Sequence, residues 1–222
     1  MKWIERTLNS HDTEFILAAV LLLILGMMHQ NERERLAVFV RSFINPSLVN
    51  QQIRQERAFN RIAIPLFFAI IFILGFFLAT SFKHFGIAKD IPFNSQFLLL
   101  SGILLLITLI RAVIYHLMGI LLNLRKALQL HTTNWLLNNF ILSLIILPLA
   151  IVASFAPETI VRPFIIFGLC IMALFYLIRS FRLFGMTQQE IQVPLFYNVL
   201  YLCALEILPP LLIVVTILRN AG

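Results

Sequence analysis

The apolar positions of this chain gather into long runs separated by short polar stretches. Six runs approach or reach the roughly 17–25 residues that a helix needs to cross a bilayer. They are "FILAAVLLLILGMM" at 15–28, "IAIPLFFAIIFILGFFLATSF" at 62–82, a third from Phe97 past Arg111 to about 122, "WLLNNFILSLIILPLAIVAS" at 135–154, "PFIIFGLCIMALFYLI" at 163–178, and a last at 195–218. The first is short and must recruit flanking residues or sit in a thinned bilayer. The fourth and fifth are joined by "FAPETIVR", which makes them antiparallel neighbours. The pattern predicts an all-α fold, a polytopic transmembrane helical bundle of about six spans, forming a single membrane domain over residues 1–222. The polar positions of the last three runs do not reproduce those of the first three, so an inverted-repeat transporter is not supported.

The stretch between the first two runs, 29–61, has a pattern of its own. In "RERLAVFVRSFINP", Leu36, Phe39, Val40, Phe43 and Ile44 recur at helical spacing on one face, with Arg33 and Arg41 on the other. Asn45-Pro46 ends the run. This predicts a basic amphipathic cytoplasmic helix, lying in the interface or packed under the bundle.

Composition agrees with a lipid solvent. The chain has 222 residues, 60% hydrophobic and 12% charged, with a mean hydropathy of +0.94. Soluble domains carry roughly 25% charged residues. The net charge of +7 comes from Lys and Arg between the runs, the pattern of loops facing anionic lipid rather than nucleic acid. With six spans, eleven Lys and Arg fall on the side of the odd-numbered loops against six on the other. That bias places both termini outside, periplasmic in a bacterial cell inner membrane, and loops one, three and five inside. The segment "MKWIERTLNSHDTE" mixes acids and bases, and no cleavage pattern follows the first run, which therefore reads as a retained helix. Cys170 and Cys203 lie inside apolar runs at different depths and read as small core residues, not as a disulfide or zinc site.

Polar residues inside the runs are the candidate chemistry. Glu206 lies eleven residues into the last run, about 16 Å deep at 1.5 Å per residue. A charge there costs about 2.5–3.5 kcal/mol or more. Pro209 and Pro210 follow it and free the carbonyls of Leu205 and Glu206, so the helix is expected to break or kink at this carboxyl. Asn198 shares its face, eight residues earlier. Two readings stay open for Glu206: a neutral acid hydrogen-bonded to another helix, or a protonatable site. Arg111 either snorkels to the interface or reaches toward Glu206. If its helix starts near Phe93, Arg111 is interfacial. Pro148 marks a helix-break or kink in the fourth run, and Asn138 and Asn139 read as interhelical hydrogen bonds. His29, His116 and His131 show no metal-ligand spacing. No phosphate loop, nucleophile elbow or His-Glu-x-x-His appears, so neither metal, cofactor nor enzyme activity is expected.

Three stretches carry a likeness. "RQERAFNRIAIPLFF" at 54–68, "TTNWLLNNFILSLIILPLAI" at 132–151 and "LFYNVLYLCALEILPPLLIV" at 195–214 resemble a family of uncharacterised integral membrane proteins of Bacteroidota, catalogued as a domain of unknown function. The string Leu-Cys-x-Leu-Glu-Ile-Leu-Pro is the specific part. The second proline and Thr216 depart from the family pattern, which more often carries a lysine near there. The resemblance implies a bacterial inner-membrane protein and supplies no reaction, cofactor or mapped site. The function expected is that of a non-catalytic subunit of an envelope or secretion-associated membrane complex. Its partners would be the lipid bilayer and other membrane proteins or further copies of itself, not nucleic acid. The alternative is a small transporter or proton-coupled conductor using Glu206.

Overall fold

Long apolar runs in lipid have one way to satisfy their backbone polar groups locally, the α-helix. A computed structural model describes residues 10–31, 33, 36, 37, 40, 56–87, 91–121, 125–190 and 215. Its helices are α1 (Ser10–Asn31), α2 (Glu56–His84), α3 (Phe93–Leu121), α4 (Arg125–Phe155) and α5 (Glu158–Glu190). Each contains a stretch long and apolar enough to cross a membrane: Asp12–Asn31, Ala63–His84, Phe93–Ile114, Thr132–Phe155 and Thr159–Ser180. The protein is therefore an all-α chain with five such helices among the described residues. The run at 195–218 lies outside them, apart from Val215, as does most of the expected amphipathic segment. Of that segment's apolar face, Leu36 is buried and Val40 exposed.

The ends of the helices follow from local chemistry. Gly86 terminates α2 with a positive φ of 70°, a conformation that costs glycine little. Its N–H donates to the Lys83 carbonyl at 3.2 Å, and the Ile87 N–H donates to Phe82 at 2.9 Å, which caps carbonyls the helix leaves open. Pro92 precedes α3, and its carbonyl accepts from Ser95 and Gln96. Pro157 does the same for α5, accepting from Ile160 and Val161. A proline there loses no helical bond, because the first N–H groups have no intrahelical partner. Pro148 lies inside α4, which continues to Phe155.

The helices are not equivalent. The spans of α2 and α4 are 67% and 61% buried, against 17–22% for α1, α3 and α5. Among the described residues, three outer helices therefore surround a central parallel pair, α2 and α4. The middle of α2 is buried on all sides, from Ala69 to Ser81 with only Phe72 partly exposed. The outer helices bury single stripes. On α1 this is Glu14, Ala18 and Leu21. On α3 it runs Phe93, Phe97, Leu100 and on to Arg111, and on α5 Val161, Ile165, Leu169 and on to Arg179. These are the three- and four-residue steps of one helical face. Cys170, expected in the core, is instead exposed on α5, one position beyond the stripe at Leu169.

Two glycines set the closest approaches. A Cβ on Gly75 of α2 would meet Ser101 Oγ at 2.1 Å and Ser101 Cβ at 3.1 Å on α3. A Cβ on Gly168 of α5 would meet the Phe77 ring at 2.5 Å. Small residues let membrane helices pack backbone to side chain without a hydrophobic driving force between them. Phe77 is fully buried, so its ring has no free volume to retreat into. Gly168→Ala is expected to destabilise the bundle by about 1–3 kcal/mol, the usual range for overpacking. Gly102, with nothing within 4 Å of its Cβ position, is expected to accept alanine with no loss. Thermal unfolding of the two variants in detergent measures the contrast.

Candidate functional site

The buried polar side chains collect mainly toward the two ends of the bundle. The first end joins the start of α1, the close of α2 and α4, and the starts of α3 and α5. Glu14 is fully buried there and forms an ion pair with Lys83, whose side chain is 28% exposed. The Lys83 ammonium also stands 5.8 Å from the centre of the Phe93 ring, within cation–π range. Nearby, Thr80 and Ser154 approach oxygen to oxygen at 3.3 Å across α2 and α4. Thr80 Oγ1 lies 2.9 Å from the Phe76 carbonyl and Ser154 Oγ lies 3.0 Å from that of Ala150. Each hydroxyl has one hydrogen, so two hydrogens serve three contacts.

The second end joins the other termini. Arg111, Thr133, Asn134, Asn138, Asn139, Arg179 and Ser180 are buried there. Asn139 donates to the Trp135 carbonyl of its own helix at 2.8 Å. Asn138 donates across to the Phe175 carbonyl of α5 at 3.5 Å, a long bond. Arg179 is one turn beyond Phe175, and Asn134 one turn before Asn138, so the antiparallel pairing puts Arg179 and Asn134 at the same level. Arg179 is only 1% exposed. Arg111 borders a groove of about 410 Å³ between α2, α3 and α4, together with Phe67, Phe68, Thr108 and Trp135. From Phe93, where α3 begins, Arg111 is about 27 Å along the helix. That depth is the far side of a hydrocarbon core about 30 Å thick, which makes it interfacial.

Between the two ends the described core is apolar apart from the hydroxyls of Ser101 and Ser143. Phe76, Phe77, Ile73, Leu142 and Ile146 are buried at the centre of α2 and α4, with at most 1% exposed. Ser143 stands among them and donates to the Phe140 carbonyl of its own helix at 2.7 Å. Among the described residues no group of three or more His, Cys, Asp or Glu is placed to hold a metal.

Of the residues singled out in the sequence, the structure places Arg111 on the buried face of α3 and Pro148 on the exposed side of α4. Glu206, Asn198, Pro209 and Pro210 lie outside the described residues. Glu14 and Arg179 were not expected as buried polar sites, nor Lys83 as the partner of Glu14. Glu14 directly precedes the first apolar run, and Arg179 directly follows the fifth, so both read as loop charges. The usable signal was periodicity: each continues the buried stripe of its helix.

The Glu14–Lys83 pair ties α1, the helix with the least buried span, to the central pair. Removing one member of a fully buried pair costs about 3–5 kcal/mol. Because Lys83 is partly exposed, Lys83→Met is expected to cost less, about 2 kcal/mol. The double variant Glu14→Gln/Lys83→Met is expected to recover most of that loss. A double-mutant cycle on unfolding in detergent gives the coupling.

Residues 15–217 match the family described as a domain of unknown function, DUF4271. No curated protein and no solved structure matches the chain. With nearly its whole length inside the matched region, the chain belongs to the DUF4271 family.

Proposed function

We propose that this protein is a non-catalytic, multi-pass subunit of a membrane complex in the bacterial inner membrane, serving the cell envelope. The observation that carries the reading is the charge asymmetry of the bundle's ends. At the Arg179 end, α2, α4 and α5 carry Arg57, Arg61, Arg125, Lys126 and Arg182, a basic excess of the kind that marks a cytoplasmic side.

On this reading the basic end is cytoplasmic and offers helical surface to a partner, while the Glu14 end is periplasmic. A sixth span at 195–218 and a basic amphipathic helix within 29–61 complete the bundle, with both termini periplasmic. The apolar centre of α2 and α4 favours a scaffold over a conducting path through these helices. The alternative, a proton-coupled conductor, rests on Glu206 and its sequence setting.

Tagged protein pulled from its native membrane is expected to bring stoichiometric membrane partners, identified by mass spectrometry. Arg125→Glu/Lys126→Glu is expected to reduce their yield severalfold while the bundle stays folded. A clean monomer after crosslinking in the membrane would contradict the proposal. Loss of the cellular phenotype in folded Glu206→Gln, with no partner captured, would favour the conductor.

A further inference from the structure

We infer that the apolar run at 195–218 docks antiparallel to α5 on its Arg179 side, next to α4, and that Glu206 is the anion the Arg179 guanidinium holds. This placement rests on the reading of 195–218 as a sixth span and adds its neighbour, its register and the role of its carboxyl. α5 stays helical to Glu190, and the run opens at Leu195. Pro194 disfavours helix at Val193, so the chain reverses within these few residues. A connection that short makes consecutive helices antiparallel neighbours.

The chain lengths on either side of the reversal set the register. Arg179 stands eleven residues before Glu190, and Glu206 stands eleven residues after Leu195. At 1.5 Å per residue both are about 16 Å from the reversal, which brings them to one level. Arg179 is 1% exposed, and an enclosed guanidinium is costly without an anion beside it. Of the ten acidic residues in the chain, one meets that level. Asp12 and Glu14 begin α1 and Glu158 begins α5, all at the opposite end of the bundle. Glu190 is about 16 Å further along the helix of Arg179 itself. Glu56 precedes Phe67 by eleven residues, and Phe67 packs on Trp135 beside Asn134, so Glu56 stands about as far beyond the level of Arg179. Glu5, Glu32, Glu34 and Asp90 belong to the polar stretches outside the runs, and Glu206 alone lies within one.

Hydrogen-bond accounting points the same way. Asn134, on α4 at the level of Arg179, is 3% exposed, and its amide nitrogen has no hydrogen-bond partner. A guanidinium carries five N–H donors, more than one carboxylate engages. The run supplies further acceptors beside its carboxyl. Pro209 and Pro210 lack the N–H groups that would bond the carbonyls of Leu205 and Glu206. A carboxylate followed by two freed carbonyls thus meets an arginine and a carboxamide that donate. Glu206 is on this account the anchor of the last helix and not a proton carrier.

The test is cross-linking of the full chain in native membranes, starting from Cys170→Ala/Cys203→Ala. Arg179→Cys/Glu206→Cys puts a thiol at each position, and a short membrane-permeant bifunctional methanethiosulfonate is expected to join them, with the linked peptides identified by mass spectrometry. Arg111→Cys/Glu206→Cys is expected to give severalfold less linked peptide. The ion pair is read by charge exchange: Arg179→Gln and Glu206→Gln are each expected to lower the yield of folded protein severalfold, and Arg179→Glu/Glu206→Arg to restore most of it. If the thiol pair does not fold, the exchange decides alone, and an exchange that restores nothing would overturn the pairing. Labelling of Ala221→Cys from outside in spheroplasts reports whether the run spans. With that label present, a missing 179–206 link or a stronger 111–206 link would overturn the pairing and leave the sixth span standing. Without it, the sixth span falls and the pairing falls with it.

Discussion

A bilayer core holds no water to hydrogen-bond a stray polar group, and the whole arrangement of this protein answers to that. Several hydroxyls within the spans return to the carbonyls of their own helices, while the buried Ser101 hydroxyl beside Gly75 has no such partner. Ser81 donates to Phe77, Ser143 to Phe140 and Thr108 to Leu104. Charged groups are pushed to the ends, where Glu14 meets Lys83 and where Arg111 and Arg179 close the buried stripes of α3 and α5. What remains at the centre of the described residues is a largely apolar layer built around α2. Close approach there comes from glycine, at Gly75 against Ser101 and at Gly168 against Phe77, because lipid offers no hydrophobic driving force between helices.

The same constraint shapes the two faces of the bundle. One end is tied by an ion pair and a Thr80–Ser154 contact. The other has buried arginines, Arg111 and Arg179, at its rim. An end of that kind meets three environments at once: lipid headgroups, water and any partner. The proposed scaffold function draws on this asymmetry, and membership of the DUF4271 family attaches no reaction to it.

Much of this fold was legible in the sequence, because span length and apolar content are set by bilayer thickness. Five runs became five helices in the described residues, and the fourth and fifth pack as antiparallel neighbours across Ala156-Pro157. Helix ends were less legible. The apolar run of α2 begins near Ala63, yet the helix begins at Glu56, since backbone hydrogen bonding continues into water while hydropathy does not. Glu14 and Arg179 were hidden for a related reason. A charge at the border of an apolar run has the same composition signal whether it faces solvent or the bundle, and only its register on the buried stripe separates the two. Arg111 was visible as an anomaly, and the start of α3 at Phe93 decides its depth. Cys170 misled because an apolar run in lipid has an apolar outer face as well as a core.

Whether the apolar central layer excludes water is tested most directly by water-soluble thiol reagents. Starting from Cys170→Ala/Cys203→Ala, a near-isosteric Ser143→Cys places one thiol at the centre of α4, and Thr159→Cys places one at the exposed start of α5. In native membranes a charged methanethiosulfonate is expected to modify position 159 readily and to leave position 143 unmodified. Comparable modification at both would mean that water reaches the middle of the bundle, and the account of a closed apolar scaffold would fail.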